Sequence, residues 1–329
     1  MSLSNSTPLP SSAKRKHDDQ QQPVIVRSPD FWFEDGNIII QAQNTQFRVY
    51  RGSIARQSAV FNVMFGLPQP EGEILVDGCP IVYLDDASQD WKNLFTILYH
   101  PEVGYDPSDT FDLLALSSVL RLGQKYDLEK LYDAALKRIK SEVPQSLEQW
   151  QAKFGRNSTK PSPLCGKHVE LLNIICDAEI QPLLPAAYLL CIMNITLENT
   201  FRPLLSADGT VLRLSPDSIE KLAVGRVRIC QAIAQHKYGW CRTYDPAKNP
   251  DCLDQHKCVK ARLDCLMNLS TGIKWDALGK VFRSLSPSIR DKLCANCVDK
   301  IMPLYEAGVE KIWDELPTYF GLPAWADLK

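Results

Sequence analysis

The stretch Phe31–Phe65, FWFEDGNIIIQAQNTQFRVYRGSIARQSAVFNVMF, carries the signals from which the fold is predicted. Its first aromatic residues alternate between two faces, with Phe31 and Phe33 on one face and Trp32 on the other, which is typical of a β-strand. Residues 37–42 are rich in β-branched side chains and predict a second strand. We therefore expect this part of the chain to begin with a small sheet.

The second half of the stretch predicts a turn, a further strand and a short helix. A tight turn is expected at residues 44–45, and apolar and polar residues then alternate over 47–50, as in a strand. Ser58 is a favourable N-cap for a short helix over residues 59–65. Strands, a polar connection and a short helix follow one another within a few residues, which is an uncommon order.

This order resembles the opening of a BTB/POZ domain, especially of the kind expanded in fungi. The family pattern there is of the type F-x-V-H-R-x-x-L-A-x-x-S-x-V-F. The residues that fit it are Phe47, Val49, Arg51, Ile54, Ala55, Ser58, Val60 and Phe61, with Tyr50 in place of the usual His. The resemblance continues to about residue 143, through a strand ending of the type V-x-L-x-D and a helical pair around L-x-L-G-x-K-Y-D-L-x-x-L.

The pattern along the chain predicts an α+β protein in which a BTB/POZ-like α/β module is followed by an all-helical C-terminal domain. Residues 1–23 are rich in Ser, Pro and Gln and are predicted to be a disordered tail. The module is expected at 28–143, with amphipathic helices at 91–99, 111–122 and 128–139. Polar residues, Pro and Gly over 144–167 predict a linker, and 168–329 predict the helical, cysteine-containing domain.

Composition limits the classes of protein to which the chain can belong. Hydrophobic residues make up 45% of its 329 residues, enough for two domains with sizeable cores. No apolar run approaches the ~20 residues of a bilayer span, and no signal peptide opens the chain. These features favour a soluble intracellular protein without a membrane partner. Lys14-Arg15-Lys16 is either a nuclear import signal or a solvated charge cluster, and the second interpretation is favoured. The sequence therefore does not decide between a nuclear and a cytoplasmic location.

The eleven cysteines are expected to be thiols or metal ligands, because the chain shows no secretory signal. A Cys-x2-Cys pair suits a tetrahedral ion, and a structural zinc site needs a second pair. The candidate ligands are Cys252, Cys258, Cys294 and Cys297, with Cys241 or His256 as alternates for one position. The other interpretation is that these cysteines are small apolar residues in a helical core. The sequence leaves both open.

The resemblance implies a non-catalytic function in protein–protein interaction. A homodimer or BTB heterodimer and recruited protein partners would follow from it, in transcription complexes or as a substrate adaptor of a cullin-type ubiquitin ligase. Such adaptors often carry an apolar-x-Glu motif, which residues 67–73, LPQPEGE, do not supply. Aromatic residues at the start of the module predict an exposed interface at Phe31, Phe33 and Phe65.

Two other classes of function receive less support from the sequence. We find no Gly-x-Ser-x-Gly, phosphate-loop, dinucleotide-binding or His-Glu-x-x-His motif, and we predict that the chain is not an enzyme. Basic and aromatic residues between 226 and 262 suggest a nuclear regulator that touches DNA through the cysteine-rich half. Acidic residues interleave with them, and the net charge is −2, which favours a solvated surface over nucleic-acid contact.

Overall fold

The structure is a computed structural model that describes residues 24–68, 72, 74–100, 112–155, 166–205, 209–270 and 275–329. The predicted disordered tail with its basic triplet lies outside the described residues. Residues 156–165 of the predicted linker lie outside them as well.

The N-terminal region combines a mixed sheet with helices. Its strands are β1 (Val26–Trp32), β2 (Ile38–Ala42), β3 (Thr45–Val49), β4 (Leu75–Val76) and β5 (Cys79–Leu84). Its helices are α1 (Arg51–Ala55), α2 (Ala59–Gly66), α3 (Ser88–Tyr99), α4 (Leu113–Tyr126) and α5 (Glu129–Glu142). Strand signals and helical periodicity thus predicted β2, β3 and the helices α2 to α5 close to where they occur. β1 begins five residues before the predicted aromatic strand, and α1 and β4 were not predicted.

The five-stranded sheet has the order β1-β3-β2-β5-β4. β2 and β3 form the antiparallel hairpin, in which Ile40 lies opposite Phe47, whereas β1 pairs with β3 and β5 pairs with β2 in parallel. The hairpin turn includes Gln43, whose φ of 51° is left-handed. A residue in that conformation matches the twist of the two strands, and the turn therefore begins one residue before the predicted position.

Ser58 connects the short helix α2 to the helical layer. Its Oγ accepts the backbone N–H of Phe61 at 3.0 Å, which confirms the predicted N-cap. The same hydroxyl donates to the backbone carbonyl of Tyr126 at the end of α4. One side chain therefore begins α2 and fixes its position against α4.

The predicted exposed interface at Phe31, Phe33 and Phe65 is wrong. Phe31 and Phe65 are core residues with only 2% and 8% of their surface exposed. Phe33 is half-buried and stacks on Tyr50 with a ring separation of 5.1 Å. The reason is that α3 covers this side of the sheet, so that Phe31 packs 5.8 Å from the ring of Phe95.

The predicted linker contains a helix, α6 (Leu147–Phe154), so the expectation of an exposed connection there is wrong. Ser146 caps it by accepting the N–H of Gln149 at 3.1 Å. Trp150 is buried and packs 5.6 Å from Phe282 and 5.9 Å from Trp313. The polar composition of this segment concealed an apolar helical face that joins the C-terminal core.

The C-terminal region is mainly helical. Its helices are α7 (His168–Asp177), α8 (Leu184–Asn194), α9 (Leu197–Thr200), α10 (Pro216–Ala232), α11 (Trp240–Thr243), α12 (Gln255–Ser270), α13 (Pro287–Arg290), α14 (Ala295–Asp314) and α15 (Leu316–Tyr319). α8 is buried from Leu184 to Ile192 and lies at the centre of this region. Among the described residues, no helix is both long and apolar enough to span a membrane.

The prediction of an all-helical C-terminal domain needs one correction. Two short strands, β6 (Leu204–Leu205) and β7 (Val211–Leu212), pair antiparallel between α9 and α10. Strands of two residues carry no detectable alternation, which is why the sequence did not reveal them. The buried side chains of the N-terminal and C-terminal regions belong to one continuous core.

Candidate metal centre

Four cysteine sulfurs converge in the C-terminal region. The Sγ atoms of Cys252, Cys258, Cys294 and Cys297 all lie within 4.8 Å of one another. The Sγ of Cys252 is 3.5 Å from that of Cys297 and 3.8 Å from that of Cys294. The structure therefore brings together all four cysteines that the sequence singled out as candidate ligands.

Two helix N-termini hold the cysteines in place. Cys252 precedes α12 and Cys258 lies in its first turn, where Asp254 accepts the backbone N–H of Lys257 at 3.0 Å and begins the helix. Cys294 is the N-cap residue of α14, and Cys297 lies one turn further along the helix. The Cys-x2-Cys spacing thus directs two sulfurs to the same side of a helix start.

Hydrogen bonds join the two segments around the sulfurs. The backbone N–H of Cys294 donates to the Sγ of Cys258 at 3.1 Å. The side-chain amide of Asn296 donates to the carbonyl of Asp251 at 2.7 Å. The segment before α12 and the start of α14 are therefore held together by bonds that leave the four sulfurs facing one another.

Tyr244 and Asn249 support Cys297 from outside the cluster. The hydroxyl of Tyr244 donates to the Sγ of Cys297 at 3.3 Å. Asn249 donates to that hydroxyl at 2.8 Å and lies 3.8 Å from the same Sγ. Donors of this kind orient a ligand and stabilise negative charge on it. No sequence pattern identified these two supporting residues.

The thiols of the cluster differ in how readily they ionise. Burial raises the pKa of Cys252 and of Cys258. Burial opposes ionisation of Cys294 too, but N–H donors of Cys297 and Leu253 outweigh it and lower the pKa of Cys294 to about 6. Four thiolates at such short range repel one another. A bound metal ion would offset this repulsion and would favour the thiolate form of each cysteine.

The geometry fits a tetrahedral thiolate site. Zinc–sulfur bonds of ~2.3 Å in a tetrahedron place the sulfurs about 3.8 Å apart. The separations of 3.5 and 3.8 Å from Cys252 to Cys297 and Cys294 agree with this value, and all four sulfurs lie within 4.8 Å of one another. Four sulfur donors in a tetrahedron suit zinc or iron, and a set of four protein ligands is typical of a structural site.

The two alternate ligands proposed from the sequence do not belong to the cluster. Cys241 is buried on α11, where its Sγ lies 2.9 Å from the Sγ of Cys265. His256 is exposed. It lies two residues before Cys258 on α12, and residues at that spacing face different directions.

The basic residues that suggested DNA contact have structural roles in several cases. Arg226 and Lys237 are buried. Arg228, Arg242 and Arg262 donate to the backbone carbonyls of Thr318, Ala234 and Cys241 respectively. Two of these five side chains are therefore buried and Arg262 is half-buried, whereas Arg228 and Arg242 bond to the backbone from exposed positions.

No protein-family model matches this chain, and no curated protein is significantly similar to it.

Proposed function

We propose that the chain is a non-catalytic protein-interaction protein whose C-terminal region is stabilised by a structural zinc ion. The observation that carries the zinc assignment is the convergence of four cysteine sulfurs within 4.8 Å. Without an ion, the cluster would hold two thiols, Cys252 and Cys258, that resist ionisation because their pKa values are raised. With an ion, the same sulfurs form the closed ligand set of a structural site.

Zinc bound to these cysteines would fasten the α11–α12 connection to the start of α14. Cys252 supplies a ligand from this connection and Cys258 from the first turn of α12, and Cys294 and Cys297 supply ligands from the start of α14. Four protein ligands leave no position open for a substrate. Because the thiolates must deprotonate and converge together, binding of the metal is linked to folding of this region.

Elemental analysis tests this assignment on the full chain, purified without a chelator. The expected content is about one zinc per chain, and removal of zinc by a strong chelator is expected to lower the melting temperature. Iron in place of zinc would give a coloured protein and would change the identity of the ion but not the site. Protein without either metal, with a melting temperature that a chelator does not change, would overturn the assignment.

We propose self-association for the N-terminal region, with a second copy of the chain as the partner. α2 exposes Val60 and Val63, and Leu67 is exposed just beyond its end. The helix, AVFNVMFG, carries no charged residue, so two copies can face each other across a two-fold axis without like-charge repulsion. An exposed apolar surface on a short neutral helix is typical of an interface. The resemblance to BTB/POZ domains points to the same kind of association.

Sedimentation of the full chain tests this second proposal. Val63 is 66% exposed, so Val63→Asp is expected to leave the fold intact and to convert a dimer to a monomer. Leu205→Asp is a matched control, because Leu205 is 77% exposed on β6, away from α2. A monomeric wild type at micromolar concentrations, or a Val63→Asp dimer of unchanged affinity, would refute association through this surface.

The DNA-contacting and cullin-adaptor alternatives have less support. The structural roles of Arg226, Lys237 and Arg262 reduce the basic surface available to a phosphate backbone. Recruitment of further protein partners remains the expectation that the resemblance implies. Partner recruitment by the N-terminal region and zinc binding in the C-terminal region are separate proposals, because they concern different regions of the chain.

A further inference from the structure

A second pair of cysteines meets outside the candidate metal centre. The Sγ of Cys241, on α11, lies 2.9 Å from the Sγ of Cys265, on α12. This distance is shorter than the 3.5 and 3.8 Å between sulfurs of the metal cluster. A disulfide has a sulfur–sulfur distance of about 2.05 Å, so a movement of about 1 Å would join the two atoms.

We propose that Cys241 and Cys265 form a redox-sensitive dithiol, which a peroxide oxidises to a disulfide that links α11 to α12. The pair differs from the metal cluster in chemistry, because two sulfurs in direct contact leave no space for an ion between them. Neither cysteine of the pair belongs to the four candidate metal ligands. The guanidinium of Arg262 donates from Nε to the carbonyl of Cys241 at 2.7 Å and holds the two helices together at this point.

The two thiols have different roles in the oxidation. The Sγ–H of Cys241 donates to the Sγ of Cys265, which lowers the pKa of Cys265 and raises the pKa of Cys241. Cys265 is also the more accessible of the two, with 6% of its surface exposed against 0% for Cys241. Cys265 is therefore the thiol that meets the peroxide first, and Cys241 is the resolving thiol.

The chemistry balances with hydrogen peroxide as the oxidant. The Cys265 thiolate attacks one peroxide oxygen, the O–O bond breaks, and the leaving hydroxide takes up a proton to give water and a sulfenic acid on Cys265. Cys241 then attacks the sulfenic sulfur, the S–O bond breaks, and the departing hydroxide leaves as water with the proton of Cys241. Two thiols lose two electrons in total, and both peroxide oxygens end as water.

The position of the link gives it a structural consequence. The chain between Cys241 and Cys265 contains Cys252 and Cys258, two of the four candidate metal ligands. The disulfide would therefore close, by a covalent bond, the same loop that a metal ion would fasten to α14. Oxidation is expected to make this loop harder to unfold, since a cross-link restricts the unfolded chain.

Peptide mapping of the peroxide-treated full chain tests the proposal. Free thiols are blocked after quenching, and trypsin separates the two cysteines, since Cys241 lies in peptide 238–242 and Cys265 in peptide 263–274. The four metal-cluster cysteines fall in peptides 249–257, 258–260 and 293–300. The expected product is one cross-linked species that joins 238–242 to 263–274 with the loss of two hydrogens, together with a higher melting temperature. A reductant should reverse both.

Single variants separate the roles of the two thiols. Cys241→Ser is expected to leave Cys265 as a sulfenic acid that dimedone captures, whereas Cys265→Ser should leave Cys241 unoxidised. Cys230→Ser, on α10, is the control and should form the same cross-link as the wild type. Cross-links confined to the metal-cluster peptides, or Cys241 and Cys265 that stay alkylatable after peroxide, would overturn the proposal. The peptide map of the wild type shows whether Cys241 and Cys265 form a disulfide even if a variant fails to fold. Its result does not depend on whether the protein carries zinc.

Discussion

The backbone N–H of Cys294 donates to the Sγ of Cys258 at 3.1 Å, across 36 residues of sequence. Because the donor belongs to the backbone, the bond joins the start of α14 to α12 whatever side chain stands at position 294. An N–H donor also stabilises negative charge on the Cys258 sulfur, as a ligating thiolate requires. A substitution at position 294 can therefore remove the Cys294 sulfur and keep the backbone hydrogen bond to Cys258.

Cys294→Ser is expected to lower the zinc content well below about one per chain while the hydrogen bond from its backbone to Cys258 persists. Its melting temperature should resemble that of the chelated wild type and should change little on further chelation. Elemental analysis and thermal unfolding with and without chelator measure both effects.

The control for this variant is Cys230→Ser, which removes a half-buried thiol on α10 away from the cluster. It should keep the full zinc content and the full response to the chelator. Cys294→Ser protein with unchanged metal content would rule out Cys294 as a ligand.

Trp91→Ala is expected to lower the free energy of unfolding by about 3–5 kcal/mol. The indole is fully buried, packs 5.7 Å from the ring of Phe61, and has Nε1 3.4 Å from a carboxylate oxygen of Asp86. Leu114→Ala, at an exposed position of α4, should change the stability by much less. Urea denaturation compares the two variants, and equal effects would contradict the burial of the indole.

Trp150→Ala tests whether α6 belongs to the folded core. Burial against Phe282 and Trp313 predicts a loss of about 3–5 kcal/mol, as for other large-to-small changes in a core. Glu148→Ala, at an exposed position of the same helix, is the matched control. A loss below about 0.5 kcal/mol for Trp150→Ala would instead support the exposed connection that composition suggested.

The sequence predicted those features whose residues lie within a few positions of one another. The spacing of Trp91, Leu94 and Phe95 identified the buried face of α3, and all three are in the core. The Cys-x2-Cys pair at 294 and 297 was visible for the same reason, since both ligands lie within one helical turn. The pair at 252 and 258 lies some forty residues earlier in the chain. The spacing of the cysteines suggested that the two pairs meet, but only the fold brings them together.

Other features depend on tertiary packing that no short window contains. Nothing in the spacing of Cys241 and Cys265 indicated that these two cysteines would meet. Half of the residues of Leu147–Phe154 are polar, and composition therefore concealed a helix whose apolar face packs on distant rings. The burial of Phe31 depends on Phe95 of α3, which is 64 positions further along the chain, so no local pattern indicated that this ring is covered.

The protonation of Lys237 also depends on tertiary packing. It is buried at the end of the π-helical turn Ile233–Lys237 that follows α10, and its Nζ donates to the carbonyls of Lys280 and Val281, the second at 2.8 Å. Burial, together with the nearby charge of Arg283, lowers the pKa of Lys237 from 10.5 to about 7. A neutral amine has two N–H groups, enough to satisfy both carbonyls.

The lowered pKa of Lys237 predicts how stability depends on pH. Below about pH 7 both the folded and the unfolded chain hold the proton, and the cost of burying the charge is fully present. Above it the folded state releases the proton while the unfolded state, with a pKa near 10.5, keeps it. The unfolded state then binds more protons, so the free energy of unfolding is expected to rise by about 1–2 kcal/mol between about pH 7 and 8.5.

Lys237→Met removes the titrating group and should remove this rise. The variant also loses the donors to two buried carbonyls, so it is expected to be less stable than the wild type at about pH 8.5, with a smaller difference at about pH 7. Lys130→Met, at an exposed position of α5, should keep the wild-type dependence on pH. Urea denaturation under reducing conditions at both pH values measures the three proteins. Parallel curves for the wild type and Lys237→Met would show that Lys237 stays protonated in the folded protein throughout this range.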